Sequence, residues 1–323
     1  MRFSLPLALL LATGLAASAA TPNAKAFLGR WDFNVTPATG KPYPQWMELK
    51  EEAGKITGRV QPRGGGWVNI QSASIDDAGK LTVNIAAATQ RNPALRWELT
   101  SPGKDQLTGI EMRGDKEGPK LAGVKAPKLD RKTPKAWTEP RAIFNGKDLT
   151  GWEPIGNVNN SKWVARDGEL VNDNPDPPAG TPRGPGAANI KTTEKFQDFK
   201  LHIEVLCPDH GNSGIYLRGR YEVQVGTEGG KLPDHEMGAI YSHYPPPAND
   251  LNLGKWTSFD ITLVGRHVTV VRDGKTYHSN VEIPGPTGGA LDSNEAEPGP
   301  FFLQGDHHGV IRYRNITVQV PKK

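Results

Sequence analysis

Residues 204–224 read Glu-Val-Leu-Cys-Pro-Asp-His-Gly-Asn-Ser-Gly-Ile-Tyr-Leu-Arg-Gly-Arg-Tyr-Glu-Val-Gln and gather an unusual set of polar groups. The stretch reads as two β-strands joined by a turn. Along the second, taken as Ile215 to Val225, successive side chains point to opposite faces. Ile215, Leu217, Tyr221 and Val223 make an apolar face. Tyr216, Arg218, Arg220, Glu222 and Gln224 make the other. One apolar face is the ordinary signature of a half-buried strand. The opposite face, with an aromatic ring, guanidinium groups, a carboxylate and an amide, is equipped to hold a polyol and move a proton on it.

The elements that must position these groups are read from the rest of the 323 residues. The formal net charge is only +4, and basic residues are interleaved with acidic ones. Nucleic-acid binding would require a clustered basic face, so it is not expected. Residues 1–20 read as a signal peptide: Arg2 as n-region, an apolar run from Leu5 to Leu15, then small residues at Ala17-Ser18-Ala19-Ala20. That run is too short to span a bilayer, which needs ~20 residues. No Cys follows it to carry a lipid anchor. The expected location is therefore periplasmic or secreted, without a membrane anchor. Cys207 is the only cysteine, so no intramolecular disulfide can form, and it reads as a buried strand-end residue.

Residues 24–125 carry short strand patterns separated by turn signals such as Asp77-Ala78-Gly79-Lys80. They predict a small antiparallel β domain, a meander or a barrel. Residues 126–141, rich in proline and charge, read as a linker. A second β-rich domain is expected over 142–320, with hairpin turns at Arg266 and Asp273-Gly274. Three long Pro/Gly-rich segments, 172–188, 242–255 and 284–300, are candidate rim loops. All eight histidines fall between His202 and His308, which places any acid–base chemistry in the second domain.

Five ordered blocks in that domain resemble the 3-keto-disaccharide hydrolase family. They are Phe144-Asn-Gly-Lys-Asp-Leu-Thr-Gly-Trp152, Phe199-Lys-Leu-His-Ile-Glu204, and Asn212-Ser-Gly-Ile-Tyr-Leu-Arg218 with Tyr221-Glu-Val-Gln224. Gly238-Ala-Ile-Tyr241 with Gly254-Lys-Trp256, and Gly299-Pro-Phe-Phe-Leu-Gln304 with Tyr313-Arg-Asn-Ile316, complete the set. The resemblance implies an all-β chain whose C-terminal domain is a concanavalin A-like jelly-roll sandwich. It also implies a carbohydrate substrate, a glycoside whose glucose-like ring is oxidised at C3.

A C3 ketone acidifies the C2 proton. Cleavage by elimination then needs a base, a donor near the C3 oxygen and an acid for the departing group. It does not need the paired carboxylates of ordinary glycosidases. The candidates for proton transfer are Glu222, Glu204 and His307. Those for substrate binding are Asn212, Tyr216, Arg218, Gln224, Tyr241 and Gln304. No cofactor is required by the sequence. A divalent metal held by Asp306, His307 and Glu204 is possible and would stabilise an enolate, though no local ligand motif calls for one. A non-catalytic carbohydrate-binding module on the same fold is the alternative, and the sequence is silent on oligomeric state.

Overall fold

The computed structural model describes residues 24–63, 66–87, 93–181, 186–230, 232–248 and 250–322. The predicted leader lies outside the described residues. Among those described, all regular structure is β apart from three short 3₁₀ turns.

Alternation builds the first unit. In the strand Gly29–Thr36, Trp31, Phe33 and Val35 point inward, and Met47 and Leu49 follow suit in Tyr43–Glu52. Nine antiparallel strands join edge to edge, and the first, Gly29–Thr36, pairs with both the second and the ninth, Lys116–Lys125. The two ends of this sheet are Val68–Asn69 and Ser72–Ile75, neighbours in sequence. The sheet therefore curls round a core of Trp31, Phe33, Trp97 and aliphatic residues, and it is a barrel rather than an open meander.

The second unit is a sandwich. An eight-stranded sheet is built around Phe199–Leu206 and Gly309–Gln319, and it faces a five-stranded sheet. The five strands run in the order Trp152–Ile155, Asn189–Thr192, Phe302–Leu303, Asn212–Leu217, Tyr221–Gly226. Long crossovers between the sheets give the jelly-roll arrangement. Leu201, Ile203 and Val205 from one sheet meet Ile215, Leu217, Val223 and Val225 from the other in a single core. The expected hairpins are present, with Val264 paired to His267 and Arg272 to Lys275.

The proline-rich segment between the units is seated on the sandwich rather than free of it. Leu129 is buried, and its carbonyl lies so close to Gly265 that a Cβ there would be 1.8 Å away. Thr138 bonds the backbone of Val320, and Arg141–Ala142 pairs with Thr317 and Val318.

The barrel and the sandwich meet through outward-facing residues of the first two strands. Trp46 donates its indole N–H to the Pro286 carbonyl at 3.2 Å and packs its ring against Gly285. The same indole lies 5.9 Å from the His243 ring. Asp32 is buried beside Glu295, which Arg266 holds in a buried ion pair. Burial, then the neighbouring Glu295 charge, raise the Asp32 pKa well above the carboxylate range. Asp32 is therefore held toward its protonated form in the folded protein.

This sets a pH dependence with a definite sign. The folded state keeps a proton that the unfolded chain releases near pH 4. The contribution of Asp32 is complete below that pH and is lost as pH rises toward the raised folded value. Asp32→Asn keeps the shape and a donor toward Glu295 but cannot ionise. Its melting temperature should fall less steeply between pH 5 and pH 9 (roughly the window set by that shift) than that of the unaltered protein, by calorimetry. An unchanged slope would show that Asp32 is ionised throughout.

Candidate active site

The run 215–225 is not one strand but a tight hairpin. Asn212–Leu217 and Tyr221–Gly226 pair antiparallel, with Leu217 opposite Tyr221. The turn consists of Arg218, Gly219 and Arg220, and Arg218 has φ +54°. Tyr216 pairs with Glu222 and Gly214 with Gln224. Directly paired residues share a face, so even-numbered positions stay together across the turn. The parity assignment survives although the strand assignment does not.

The polar face looks away from the sandwich core. It forms two cross-strand rows. In one, Glu222, Tyr216, Phe302 and Lys191 lie side by side. In the other, Gln224 pairs with Gly214, whose carbonyl accepts the Gln304 backbone N–H at 3.0 Å. Gly214 has a specific purpose here: a Cβ at that position would lie 2.0 Å from Glu222 Oε1. The glycine leaves the room in which the Glu222 carboxyl lies flat on the sheet.

A cavity of about 220 Å³ opens over this face. Tyr216, Glu222, Glu228, Tyr241, Gln304 and His307 line it, with the backbone of Gly288 and Gly289. Three loops close round it. The loop after Tyr221–Gly226 brings Glu228 and Tyr241, the 284–290 segment brings the glycines, and the turn after Phe302–Leu303 brings Gln304 and His307. Two of these loops rest on the barrel, through Trp46 against Gly285, Pro286 and His243.

Electrostatics separate the two carboxyl groups of the cavity. Glu222 is 2% exposed. Burial pushes its pKa well up, the Tyr216 hydroxyl pulls it partly back, and the charges of Glu228 and Asp306 raise it again. Burial also acts on Glu228, but hydrogen bonds from His235 and Tyr241 outweigh it and leave Glu228 below the usual value. His235 Nδ1 lies 2.6 Å from Glu228 Oε2, and its Nε2 lies 2.7 Å from the Ser242 hydroxyl. The Tyr241 hydroxyl donates to Glu228 Oε1 at 3.1 Å. One carboxyl is thus held toward its neutral form and is the stronger base once ionised, and its neighbour is held toward its anion. Carboxyls pushed apart in this way mark proton-transfer sites.

Most of the residues singled out in the sequence come together here. Glu222, Tyr216, Tyr241, Gln304 and His307 share the cavity. Gln224 and Asn212 lie beside it, joined by a 3.0 Å bond from the Gln224 amide to Asn212 Oδ1. Tyr216 is not an open platform for a sugar ring, because Phe302 stacks on it at 4.2 Å and its hydroxyl donates to the Gly288 carbonyl.

Glu204 does not join them. Its strand sends Leu201, Ile203 and Val205 into the core, so Glu204 and His202 face solvent on the other sheet. Glu204 accepts hydrogen bonds from Arg314 and Asn315 at 2.7 Å each. It is a surface ion-pair residue. The proposed metal set of Asp306, His307 and Glu204 is divided between the two sheets for the same reason. Among the described residues, no group of three His, Cys, Asp or Glu side chains is arranged to hold a metal. Arg218 is also elsewhere. The turn at its φ of +54° carries the guanidinium into the sandwich end, where it donates to Glu295 O, Gly265 O and the Tyr221 hydroxyl. Glu228 and His235 are the groups the sequence reading missed. They lie in the non-strand segment after Tyr221–Gly226, where side-chain spacing carries no signal.

A two-sheet jelly roll with an acid-lined cavity on one outer face places the chain in the class of jelly-roll β-sandwich proteins. Residues 139–319 match the profile of the 3-keto-alpha-glucoside-1,2-lyase-like domain, and the chain belongs to that family. Two similar solved structures are proteins from Parabacteroides distasonis ATCC 8503 described as glycosyl hydrolases. One is 28% identical, with TM-score 0.45, covering 58% of this chain and 92% of the other. The second is 19% identical, with TM-score 0.42, covering 59% and 100%. A non-specific endo-beta-1,3(4)-glucanase from family GH16 is 11% identical, with TM-score 0.34, covering 59% and 95%. Among curated proteins no match is found.

The Glu222 arrangement makes a direct prediction. By carbon-13 NMR titration the Glu222 carboxyl should titrate well above the ordinary carboxylate range near 4.3. Gly214→Ala should move it toward that range by forcing the carboxyl off the sheet, and should lower stability by about 1–3 kcal/mol through overpacking. A Glu222 signal titrating normally in the unaltered protein would contradict the burial argument.

Proposed function

We propose that this chain cleaves 3-keto-glucosides by elimination across C1 and C2 in the Glu222 cavity. The observation that carries the reading is a carboxyl buried on a cavity face with no salt-bridge partner among the described residues, beside a carboxylate held by His235 and Tyr241. Burying such a group is unfavourable by a few kcal/mol or more. A surface that only bound sugar would be served by amides and rings.

In the proposed step the ionised form of Glu222 takes the proton from C2. The electron pair passes to the C3 oxygen as an enolate. It then returns to form the C1–C2 double bond as the C1–O bond breaks, and the proton ends on the departing oxygen. Desolvation supports this role, because a carboxylate of raised pKa is a stronger base. The Gln304 amide and His307 face the same cavity and would donate to the C3 oxygen as charge develops there. Glu228, fixed as an anion, holds Tyr241 and His235 in place and keeps the Glu222 pKa high. Water adding to the enone afterwards would make the net reaction a hydrolysis. The leader read in residues 1–20 would send the enzyme out of the cytoplasm.

The test is Glu222→Gln assayed on a chromogenic 3-keto-glucoside. Turnover should fall by ~10²–10⁴-fold, the usual loss for a missing general base, while the melting temperature holds. Glu204→Gln should leave turnover intact and change only stability. In the unaltered enzyme kcat/KM should rise with pH until Glu222 titrates, above the ordinary carboxylate range. Near-normal turnover of a well-folded Glu222→Gln variant would move the base to another cavity residue such as His307, and sugar binding without release by the unaltered protein would leave a binding module as the better account.

A further inference from the structure

A second hollow of about 440 Å³ adjoins the Glu222 cavity. The two share Gly289, and the Tyr216–Phe302 stack divides them, with Tyr216 lining one and Phe302 the other. Whatever group is attached to a sugar held over Glu222 therefore has this hollow as its neighbouring space.

Its lining has two characters. Ile155, Ala290, Leu291, Pro298, Pro300 and Phe302 supply an apolar floor and wall. Leu291 is among the few large hydrophobic side chains left exposed among the described residues. The rim carries four cations, Lys41, Lys191, Lys195 and Arg220, against one carboxylate, Asp292. Arg220 and Asp292 neutralise each other at 2.7 Å, and Lys191 pairs with Glu153 at 2.9 Å. Lys41 and Lys195 are exposed and have no carboxylate partner among the described residues. Lys41 comes from the turn between the first two barrel strands, so the barrel reaches the site's edge.

A second sugar would suit this floor poorly, because its polar groups are already engaged: Asn189 Oδ1 accepts the Gly305 and Asp306 N–H groups, and Arg220 and Lys191 are ion-paired. Sugars are held by hydrogen-bonding groups and open aromatic faces, and the only ring here, Phe302, is buried against Tyr216. A flat apolar group fits the proline and leucine wall, and an anion on its far edge meets the two unpaired lysines. We propose that the hollow is the aglycone subsite, selective for aryl aglycones that bear a carboxylate, and that Lys41 gives the barrel a part in substrate choice. This rests on the reading of the Glu222 cavity as the place where the glucosyl ring binds.

Binding and turnover separate the two claims. Calorimetry on the full chain would compare methyl α-glucoside, phenyl α-glucoside, 4-carboxyphenyl α-glucoside and maltose, none of them oxidised. The carboxyphenyl compound should bind about twofold to fivefold more tightly than the phenyl one, the scale of one exposed ion pair. The phenyl compound should in turn exceed the methyl compound and maltose. Combining Lys41→Ala with Lys195→Ala should erase the first step and leave the second, with the melting temperature unchanged. Equal affinities, no binding of the carboxyphenyl compound, tightest binding of maltose, or a carboxylate preference that survives both substitutions would each overturn the proposal. Turnover of the matching 3-keto compounds tests the catalysis. Aglycone-selective binding without any turnover would refute the elimination and keep the subsite, whereas turnover indifferent to the aglycone would do the reverse.

Discussion

The burial of the Glu222 carboxyl is the constraint round which the second half of the chain is organised. A carboxyl without a cationic partner stays neutral, or becomes a strong base, only while water is kept away. That exclusion needs a flat place on the sheet, which Gly214 supplies, and rigid neighbours, which the stacked Tyr216 and Phe302 supply. It also needs loops that do not open. The 284–290 segment is tied to the hairpin by Thr287, whose hydroxyl accepts the Glu222 backbone N–H at 3.0 Å.

The barrel takes part in this through contact rather than chemistry. Trp46 stands behind Gly285 and Pro286 and beside His243, the backs of two loops that form the cavity. Burial lowers the His243 pKa to about 4, so that ring packs as a neutral group against the indole. Below this contact, Asp32 reaches Glu295, and Glu295 holds Arg266 and the Tyr221 hydroxyl. Tyr221 is next in sequence to Glu222. A continuous chain of packed groups thus runs from the barrel surface to the base of the Glu222 hairpin, which gives the first unit a physical reason to be attached.

Two carboxyl sites in the molecule follow opposite rules. Glu204 sits on a solvent face, and its hydrogen bonds from Asn315 and Arg314 overcome its partial burial and lower its pKa. Glu222 sits on a covered face and its pKa rises. The difference arises because the sandwich has two outer faces, one left bare to water and one roofed by three loops. Surface pairs of the first kind contribute roughly 0–1 kcal/mol. Groups of the second kind are destabilising.

The period-two pattern by itself determined the all-β class and the face shared by Tyr216, Glu222 and Gln224, because alternation depends only on local backbone geometry. It also made Glu222 the leading carboxylate. It could not separate one long strand from a hairpin, since a three-residue turn with Leu217 opposite Tyr221 preserves parity. It could not show that Glu204, with the same local pattern, belongs to the opposite sheet, or that Arg218 leaves the face at a positive φ. Glu228 and His235 come from a loop with no period to read. Those assignments were decided by which sheets stack, which loops roof them and what the barrel presses against. These are relations between residues distant in the chain, and no local rule of side-chain spacing encodes them.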